Sequence, residues 1–379
     1  MSKLFQTLRA ELVSAFPERQ AVIDGALSAL LCGEHVLLLG PPGTGKSALV
    51  RSLAQMFGGS YFERLLTRFS TPEELFGPVS LKGLEQDRFV RITTGKLPEA
   101  EFAFVDEIFK ASSAILNALL SIANERVFHN DGAPMACPLV SLFAASNELP
   151  ESQELEALFD RFMLRFDVGY LVQTSNFRAV VKAPEPRPAT RATMDDLRKA
   201  QLAVAAIKVS DGTVDALIAV REACRAEGII NVSDRRWKRA LRMAKASAYL
   251  AGEKATTPED LAWLVDALWR EPKERARIAR LVGNIVDPAG IQAQEILDSA
   301  RETAERVAGT KLSDRKAYLA AAAGAIEQFT QQQTRLSDLG LKGGRRARAV
   351  VADASAEINA IHHDLAQALS AGLGLRGVS

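Results

Sequence analysis

Short apolar runs alternate with helical stretches in the first half of the chain. The first run lies within residues 34–40 and leads directly into a glycine and two prolines, and similar runs occur at 102–105 and 139–145. Helical apolar spacing fills 4–31 and 111–124. Continuous apolar runs are typical of parallel strands that are buried on both faces. The pattern therefore predicts an α/β fold in which a parallel sheet carries helices on both faces.

The strand pattern ends near residue 183. Three prolines lie within 183–188, which neither a helix nor a central strand tolerates, and we interpret 183–193 as a linker. Apolar spacing then predicts helices at 194–208, 212–226, 234–251 and 258–269, with two or three more after residue 271. The predicted domains are an α/β core at 1–182, an all-α lid at 194–270 and a helical C-terminal extension at 271–379.

The composition mainly excludes certain classes of protein. The 379 residues include 47 Lys and Arg against 46 Asp and Glu, and 47% are hydrophobic, as in an ordinary globular protein. This balance argues against a surface dominated by nucleic-acid or acidic-lipid binding. No apolar run approaches the roughly 18 residues of a membrane span, and the N-terminus lacks a signal-peptide pattern. We therefore expect a cytoplasmic protein without a membrane span, whose three cysteines are buried in a reducing environment.

Residues 40–47 read Gly-Pro-Pro-Gly-Thr-Gly-Lys-Ser and match a phosphate-binding loop. The motif follows an apolar run and precedes a helix, which is the context that it requires. Glycines let backbone N–H groups converge on phosphate oxygens, and the helix N-terminus adds partial positive charge. Lys46 supplies a full positive charge and Ser47 a hydroxyl for Mg²⁺. The predicted nucleotide contacts are Gly40, Pro41, Pro42, Gly43, Thr44, Gly45, Lys46, Ser47 and Ala48.

The apolar run at 102–105 ends in two carboxylates, Asp106 and Glu107. Alone, this string describes a buried strand with a polar end. About 60 residues after a phosphate loop, the pair predicts nucleotide hydrolysis, in which Asp106 holds Mg²⁺ and Glu107 orients and deprotonates the attacking water. The chain has no Asn-Lys-x-Asp motif for reading guanine. ATP is therefore the predicted nucleotide.

Four more polar residues are candidates for contact with the γ-phosphate. Asn147 follows the run at 139–145 and would lie in the ligand crevice at the carboxyl ends of the strands, or simply cap a turn. Arg161 and Arg165 are flanked by apolar residues, which suits presentation to a neighbouring subunit's γ-phosphate; a surface salt bridge is the alternative for either. Arg235 opens a helix, where a basic side chain opposes the macrodipole and indicates a bound anion.

The ordered set of motifs resembles the AAA+ ATPases and, within them, the MoxR family, most closely its RavA-like branch. The resemblance covers about residues 18–270 and rests on the segments 40–47, 66–78, 97–101, 105–110, 115–120, 124–128, 144–150 and 232–237. It implies an α/β P-loop NTPase core that binds ATP and Mg²⁺. It also implies a homo-oligomeric ring, usually a hexamer, in which each ATP lies between subunits.

The resemblance assigns further roles. Asn147 would be the sensor 1 residue, Arg161 the arginine finger and Arg235 the sensor 2 residue, with Arg165 left as a rival finger. An insert interrupts the second core helix in this family, and here it would span about 70–98, with a hairpin around Gly83. A second candidate hairpin begins at 126–132.

Partners follow from the resemblance only in part. The family associates with adaptor proteins that contain a von Willebrand factor A domain, so such an adaptor is a plausible partner here. RavA-like proteins also carry a longer extension with a small β-rich domain, whereas residues 271–379 read as helical throughout. Partners that bind through that β-rich domain are therefore not carried over to this chain.

The predicted function is Mg-dependent ATP hydrolysis by a ring that acts as a chaperone-like remodeller or switch for partner proteins. A nucleic-acid motor or clamp-loader-like ATPase is the first alternative, supported by basic segments at 235–245 and 342–348. The second alternative is a scaffold that assembles on ATP without turnover. The intact Glu107 argues against this scaffold.

Overall fold

The computed structural model describes residues 2–150, 152–184, 186, 188–229, 232–310 and 315–373. Contacts divide the chain into two compact units, one formed by Met1–Asp211 with Asn231–Arg275 and the other by Gly212–Ile230 with Ala276–Ser379. The first unit contains the α/β core and part of the predicted lid, and the second is helical in its described residues. The domain boundaries drawn from the sequence at 182, 193 and 270 stay predictions.

A five-stranded parallel sheet forms the centre of the first unit. The strands are β1 (His35–Leu39), β2 (Tyr61–Leu65), β3 (Phe102–Asp106), β4 (Val127–Asn130), β5 (Ala133–Ala136), β6 (Ser141–Ser146) and β7 (Phe162–Asp167). The sheet order is β2-β3-β6-β1-β7, while β4 and β5 form a separate antiparallel pair. The predicted α/β fold with a parallel sheet is confirmed. Sequence reasoning missed β2 and β7, whose apolar runs are interrupted by charged residues.

Helices account for most of the remaining described chain. They are α1 (Ser2–Ala15), α2 (Gln20–Cys32), α3 (Lys46–Phe57), α4 (Pro72–Phe76), α5 (Leu81–Leu84), α6 (Ser113–Glu125), α7 (Gln153–Phe159), α8 (Thr174–Lys182), α9 (Met194–Ala206), α10 (Asp211–Ala226), α11 (Asp234–Leu250), α12 (Val265–Leu268), α13 (Arg275–Val286), α14 (Pro288–Ala308), α15 (Arg315–Lys342) and α16 (Arg345–Leu373). None of these helices combines the length and the apolar character that a membrane span requires.

One apolar core packs the sheet against helices that come early and late in the sequence of the first unit. The rings of Phe5 on α1, Phe57 on α3 and Phe102 on β3 follow one another at centroid separations of 5.8 and 6.1 Å. Leu197 on α9 and Met243 on α11 are buried in the same cluster. The two lid helices α9 and α11 are therefore packed directly on the α/β core.

The predicted insert at 70–98 differs from a full hairpin. It contains α4, where Thr71 and Glu74 form a capping box, and the single turn α5, where the Ser80 hydroxyl accepts from the Gly83 N–H. Only Val79 and Arg91 pair, in one isolated antiparallel bridge. Because the cap at Ser80 starts a helical turn, the segment cannot continue as a strand. The second expected hairpin is confirmed as β4 and β5.

The helices α14, α15 and α16 pack around a separate apolar cluster in the second unit. The extension contains four helices, α13–α16, where the sequence predicted two or three. The Asp287 side chain accepts from the Gly290 N–H and Pro288 takes the first helical position of α14, which separates α13 from α14. The additional helix comes from a further division, between the end of α14 at Ala308 and the start of α15 at Arg315. The helix α10 groups with these helices and not with the other predicted lid helices.

Gly25 allows α2 to approach β7 closely, and this contact yields a stability prediction. A Cβ at Gly25 would lie 2.3 Å from Phe166 Cζ, so Gly25→Ala is expected to cost about 1–3 kcal/mol of unfolding free energy. Gly324→Ala is the control, because this glycine lies within α15 with no atom within 4 Å of an added Cβ; it should gain about 0.5–1 kcal/mol. Denaturant unfolding followed by circular dichroism measures both values. Equal shifts would contradict the proposed close packing.

Candidate nucleotide site

The phosphate loop connects β1 to α3. Gly40 has a φ of +140°, and a Cβ at this position would lie 2.3 Å from the carbonyl oxygen of Val168. Only glycine permits this approach of the loop to the residue that follows β7. The helix α3 begins at Lys46, directly after the loop, so its unpaired N–H groups and its partial positive charge lie at the loop.

Lys46 lies over the loop with its side chain largely buried. Its Nζ donates to the carbonyl oxygens of Gly40 at 2.8 Å and Pro41 at 2.7 Å. Burial lowers the pKa of Lys46, while the negative charges of Asp106 and Glu107 act in the opposite direction. Carbonyl oxygens are weaker partners for an ammonium group than phosphate oxygens are. The loop is therefore suited to binding an anion at this place.

Asp106 ends β3, and Glu107 follows it in an unusual conformation. Glu107 has a φ of +53°, which is uncommon for a residue other than glycine, and its N–H donates to Asp106 Oδ1 at 3.0 Å. Its Oε2 is buried and forms an ion pair with Lys110 Nζ at 3.1 Å. The ion pair and the φ of Glu107 hold this carboxylate beside Asp106 at the edge of the sheet, where it is placed to act on a water.

Asn147 directly follows β6, which lies between β3 and β1 in the sheet. The strands are parallel, so their carboxyl ends share one edge of the sheet, and Asn147 is exposed there. The structure thus brings Asn147 to the same edge as Lys46, Asp106 and Glu107. An open crevice at the carboxyl ends of parallel strands is the usual place for a ligand in such a fold.

Arg161 lies at the opposite edge of the sheet. It precedes β7, whose first residue Phe162 pairs with His35 at the start of the parallel strand β1, while the phosphate loop follows Leu39 at its end. The five residues of β1 span ~17 Å. This length exceeds the reach of an arginine side chain. Arg161 therefore cannot contact a phosphate in the loop of its own chain.

Arg236 holds the start of α11 against this same edge. Its buried guanidinium donates to the backbone carbonyls of Asp160, Phe162, Met163 and Ala267 at 2.8 to 3.2 Å and to Asp160 Oδ1 at 3.1 Å. The sequence predicted a functional role only for the neighbouring Arg235. The helical spacing of positions 236, 240 and 243 could have indicated Arg236, because these residues share the buried face of α11.

The exposed Arg235 therefore also lies at the Arg161 edge and not at the phosphate loop. Burial is the main cause that lowers the pKa of Arg161, and the charge of Arg235 lowers this pKa further. Arg161 Nε is buried without a hydrogen-bond partner. The two arginines form a pair of like charges, which we call the arginine pair. A contact of Arg235 with nucleotide bound in its own chain is not supported by this placement.

Arg165, the rival finger, is a structural residue. Its side chain is buried in β7, where it donates to the carbonyl oxygen of Trp269 at 2.5 Å and stacks 3.9 Å above the ring of Phe159. Burial lowers the pKa of Arg165 well below its usual range. These contacts hold β7 to the end of α12. Arg165 is consequently not free to contact a neighbouring subunit.

Hydrogen bonds fix the turn between α1 and α2 next to the edge of the sheet that carries the phosphate loop. The carboxylate of Glu18 accepts from the backbone N–H groups of Val172 and Gln173 at 2.8 and 3.0 Å, and Arg19 donates to the carbonyl of Gly169. Gly169 follows the residue that packs on Gly40. The sequence predicts that residues 18–23 and the lid form the adenine pocket, and this geometry is compatible with that prediction.

Comparison with known proteins gives the family. A profile described as the MoxR domain in the MoxR-vWA-beta-propeller ternary systems matches residues 2–207, and an AAA lid domain profile matches residues 212–282. The chain belongs to the MoxR family of AAA+ ATPases. The predictions of family and fold class are thereby confirmed, while the placement in the RavA-like branch stays a prediction.

Relatives of this MoxR-family chain cover most of its length. Two uncharacterised proteins of Methanocaldococcus jannaschii are 42% and 41% identical, over 80% and 79% of this chain and 82% and 78% of their own. The Mycobacterium tuberculosis protein named Chaperone MoxR1 is 30% identical over 39% of this chain and 40% of its own. A Cytophaga hutchinsonii structure described as a candidate ATPase shares the fold, with a TM-score of 0.61 at 20% identity, over 76% of this chain and 95% of its own.

The different surroundings of Arg165 and Arg161 predict different effects on stability. Arg165→Met leaves buried carbonyl oxygens without a donor, so the free energy of unfolding should fall by about 1–3 kcal/mol. Arg161→Ala removes a side chain with an unpaired nitrogen and should change this free energy by less than ~1 kcal/mol. Guanidinium unfolding measures both. A larger loss for Arg161→Ala would contradict the structural assignment of Arg165.

Proposed function

We propose that this MoxR-family protein hydrolyses ATP in a homo-oligomeric ring, in which each site is completed by a neighbouring copy, and that the cycle remodels a partner protein. One observation carries the proposal. Lys46, Asp106 and Glu107 lie at one edge of the sheet, whereas Arg161 lies at the other edge, beyond reach of the same loop. In this proposal, the arginine that completes the site comes from a second subunit.

The residues at the edge of the sheet that carries the phosphate loop, which we call the loop edge, fit ATP and Mg²⁺. Backbone N–H groups of the loop and the Lys46 ammonium would bind the β- and γ-phosphate oxygens. The Ser47 hydroxyl and the Asp106 carboxylate are hard oxygen ligands and would hold Mg²⁺, which neutralises charge on the phosphates when bound. One Asp106 oxygen already accepts the Glu107 N–H, which fixes the carboxylate. We assign nucleotide binding to these groups.

Glu107 is the proposed general base. Its carboxylate would take the proton of a water whose oxygen forms a bond to the γ-phosphorus, while the bond from phosphorus to the bridging oxygen of ADP breaks. Asn147 is placed to orient the water or the γ-phosphate by hydrogen bonding. Hydrolysis in this scheme needs no covalent intermediate with the protein. Positioning and charge stabilisation provide the catalysis.

The arginine pair is the proposed contribution of the neighbouring subunit. Arg161 would act as the finger, and Arg235 would bind the same polyphosphate across the interface. Burial and, after it, the charge of Arg235 lower the pKa of Arg161, so a polyanion placed between the two arginines would relieve their repulsion. Arg236 positions both residues through its bonds to Asp160 and Phe162. A hexamer is the ring size that the family resemblance favours.

The remodelling role rests on relatives. One relative is named a chaperone, and the matching profile describes MoxR-vWA-beta-propeller ternary systems. These descriptions support a protein substrate and an adaptor with a von Willebrand factor A domain. The nucleic-acid alternative is weaker, because in the segment 235–245 Arg236 is buried against backbone carbonyls and Lys245 donates to a backbone carbonyl.

Two substitutions at the loop edge should separate binding from turnover. Lys46→Ala removes the ammonium group and is expected to abolish measurable ATP binding. Glu107→Gln keeps the shape of the side chain and the affinity for ATP but should slow hydrolysis by about 10²–10⁴-fold. Nucleotide titration and phosphate release measure the two effects. Assembly with ATP but equal turnover in wild type and Glu107→Gln would support the scaffold alternative instead.

Mixing subunits tests whether Arg161 acts in the neighbouring site. Arg161→Ala should bind ATP but hydrolyse it about 10³–10⁵-fold more slowly. Addition of Glu107→Gln subunits should restore part of the phosphate release, because an intact Arg161 then faces an intact Glu107 at mixed interfaces. The control is a subunit carrying both substitutions, which should restore nothing. The absence of rescue at every mixing ratio would refute the in-trans role.

A further inference from the structure

A second basic site lies between the start of β1 and the lid helices α9 and α11. It is a cleft of about 450 Å³, which we call the arginine cleft, lined by guanidinium groups from three elements. They are Arg126 at the end of α6, Arg198 on α9, and Arg239 and Arg242 on α11. Glu34 is the single carboxylate among the described lining residues. The proposed hydrolysis does not use this cleft.

Arg126 forms the inner wall and has no acidic partner of its own. It ends α6 in a left-handed conformation and donates to backbone carbonyls on both sides of the cleft, including Gly33 at 2.7 Å and Val140 at 3.3 Å. No carboxylate within the described residues lies at ion-pair distance from it. Burial lowers the pKa of Arg126 to about 10. Backbone carbonyls rather than a carboxylate balance its positive charge, which would therefore gain from an added anion.

The other three arginines share two carboxylates. Arg239 and Arg242 lie 3.3 and 3.8 Å from the oxygens of Glu34, which is only 3% exposed, and Arg198 lies 3.2 Å from Glu101. Four guanidinium groups against two carboxylates leave an excess of two positive charges. The side chains of Arg198 and Arg242 are both 62% exposed, so they can turn toward a ligand at little cost.

The neutral groups of the cleft do not offset this excess. His35 is buried, and burial lowers its pKa to about 3, so its ring is uncharged at physiological pH. Its Nδ1 accepts from the Leu142 N–H at 2.9 Å. Burial raises the pKa of the Cys32 thiol to about 12. Neither side chain contributes negative charge.

We propose that the arginine cleft binds a compact polyanion with at least two phosphate groups, held by Arg198, Arg239 and Arg242 in front of Arg126. Guanidinium groups bind phosphate oxygens in pairs of parallel hydrogen bonds, and several of them here converge from different helices. The volume is within the range of small-ligand sites. The charged lining excludes an apolar ligand. A free pyrophosphate and a nucleoside diphosphate share the required chemistry.

The bound anion would also join α9 and α11 to the start of β1. The helix α11 carries Arg235 and Arg236, so occupancy of the cleft is expected to change turnover at the neighbouring site. This effect on turnover rests on the proposed function, whereas the binding itself does not. Glu34 has a specific role in this scheme, because its buried carboxylate competes with the ligand for Arg239 and Arg242.

Calorimetric titration of the full-length Lys46→Ala variant with inorganic pyrophosphate tests the site, because this variant lacks the phosphate-loop cation. We expect saturable binding that weakens with added salt. Adding Arg198→Gln and Arg242→Gln should weaken it by ~10-fold or more, and Arg225→Gln on α10 is the control that should leave it unchanged. Adding Glu34→Gln should tighten binding, which the loss of a merely structural contact would not do.

Titration with ADP in the same variant distinguishes the two sources of phosphate. Tighter binding of ADP than of pyrophosphate assigns the cleft to a nucleoside diphosphate, and the reverse assigns it to the free polyanion. Absence of saturable binding of both ligands overturns the proposal. So does binding that is insensitive to the arginine substitutions, or that weakens with Glu34→Gln while circular dichroism shows a folded chain. None of these outcomes depends on ATP turnover.

Discussion

The parallel pairing of β1 with β6 and β7 is the constraint on which the rest of this molecule depends. Parallel strands place all their carboxyl ends at one edge, so the phosphate loop, Asp106, Glu107 and Asn147 meet there without further adjustment. The same pairing places the residues before β7 at the far edge. A single sheet therefore separates the phosphate loop from the arginine pair by the full length of a strand.

Arg236 fixes the position of the arginine pair at the far edge of the sheet. A buried guanidinium costs several kcal/mol in lost solvation, which only a full set of acceptors offsets. Here four backbone carbonyls and the Asp160 carboxylate supply these acceptors, and three of the carbonyls belong to the residues around Arg161. Because the acceptors are part of the backbone, α11 cannot move without moving the segment that carries Arg161. Arg236 thus ties α11 to the segment that carries Arg161.

Local patterns predicted the parts of the site that depend on local geometry. The loop at 40–47 and the pair Asp106 and Glu107 follow apolar runs, and such runs indicate buried strands whatever the rest of the fold does. The strands β2 and β7 were missed because charged residues interrupt them, and Arg165 in β7 finds its partners about 100 residues away. Arg236 could have been recognised from the buried face of α11 that it shares with positions 240 and 243, whereas only tertiary contacts decide where the exposed Arg235 lies.

The near equality of basic and acidic residues hides an uneven distribution. Many acidic groups pair with surface arginines, as in Arg51 with Glu63 and Arg301 with Glu357, and such pairs contribute little to stability. The edge that carries the arginine pair and the arginine cleft instead has more guanidinium groups than carboxylates. Repulsion among these guanidinium groups destabilises the isolated chain. Anions bound at both sites would relieve this repulsion, so the same charges that weaken the single chain would support the proposed assembly around phosphate.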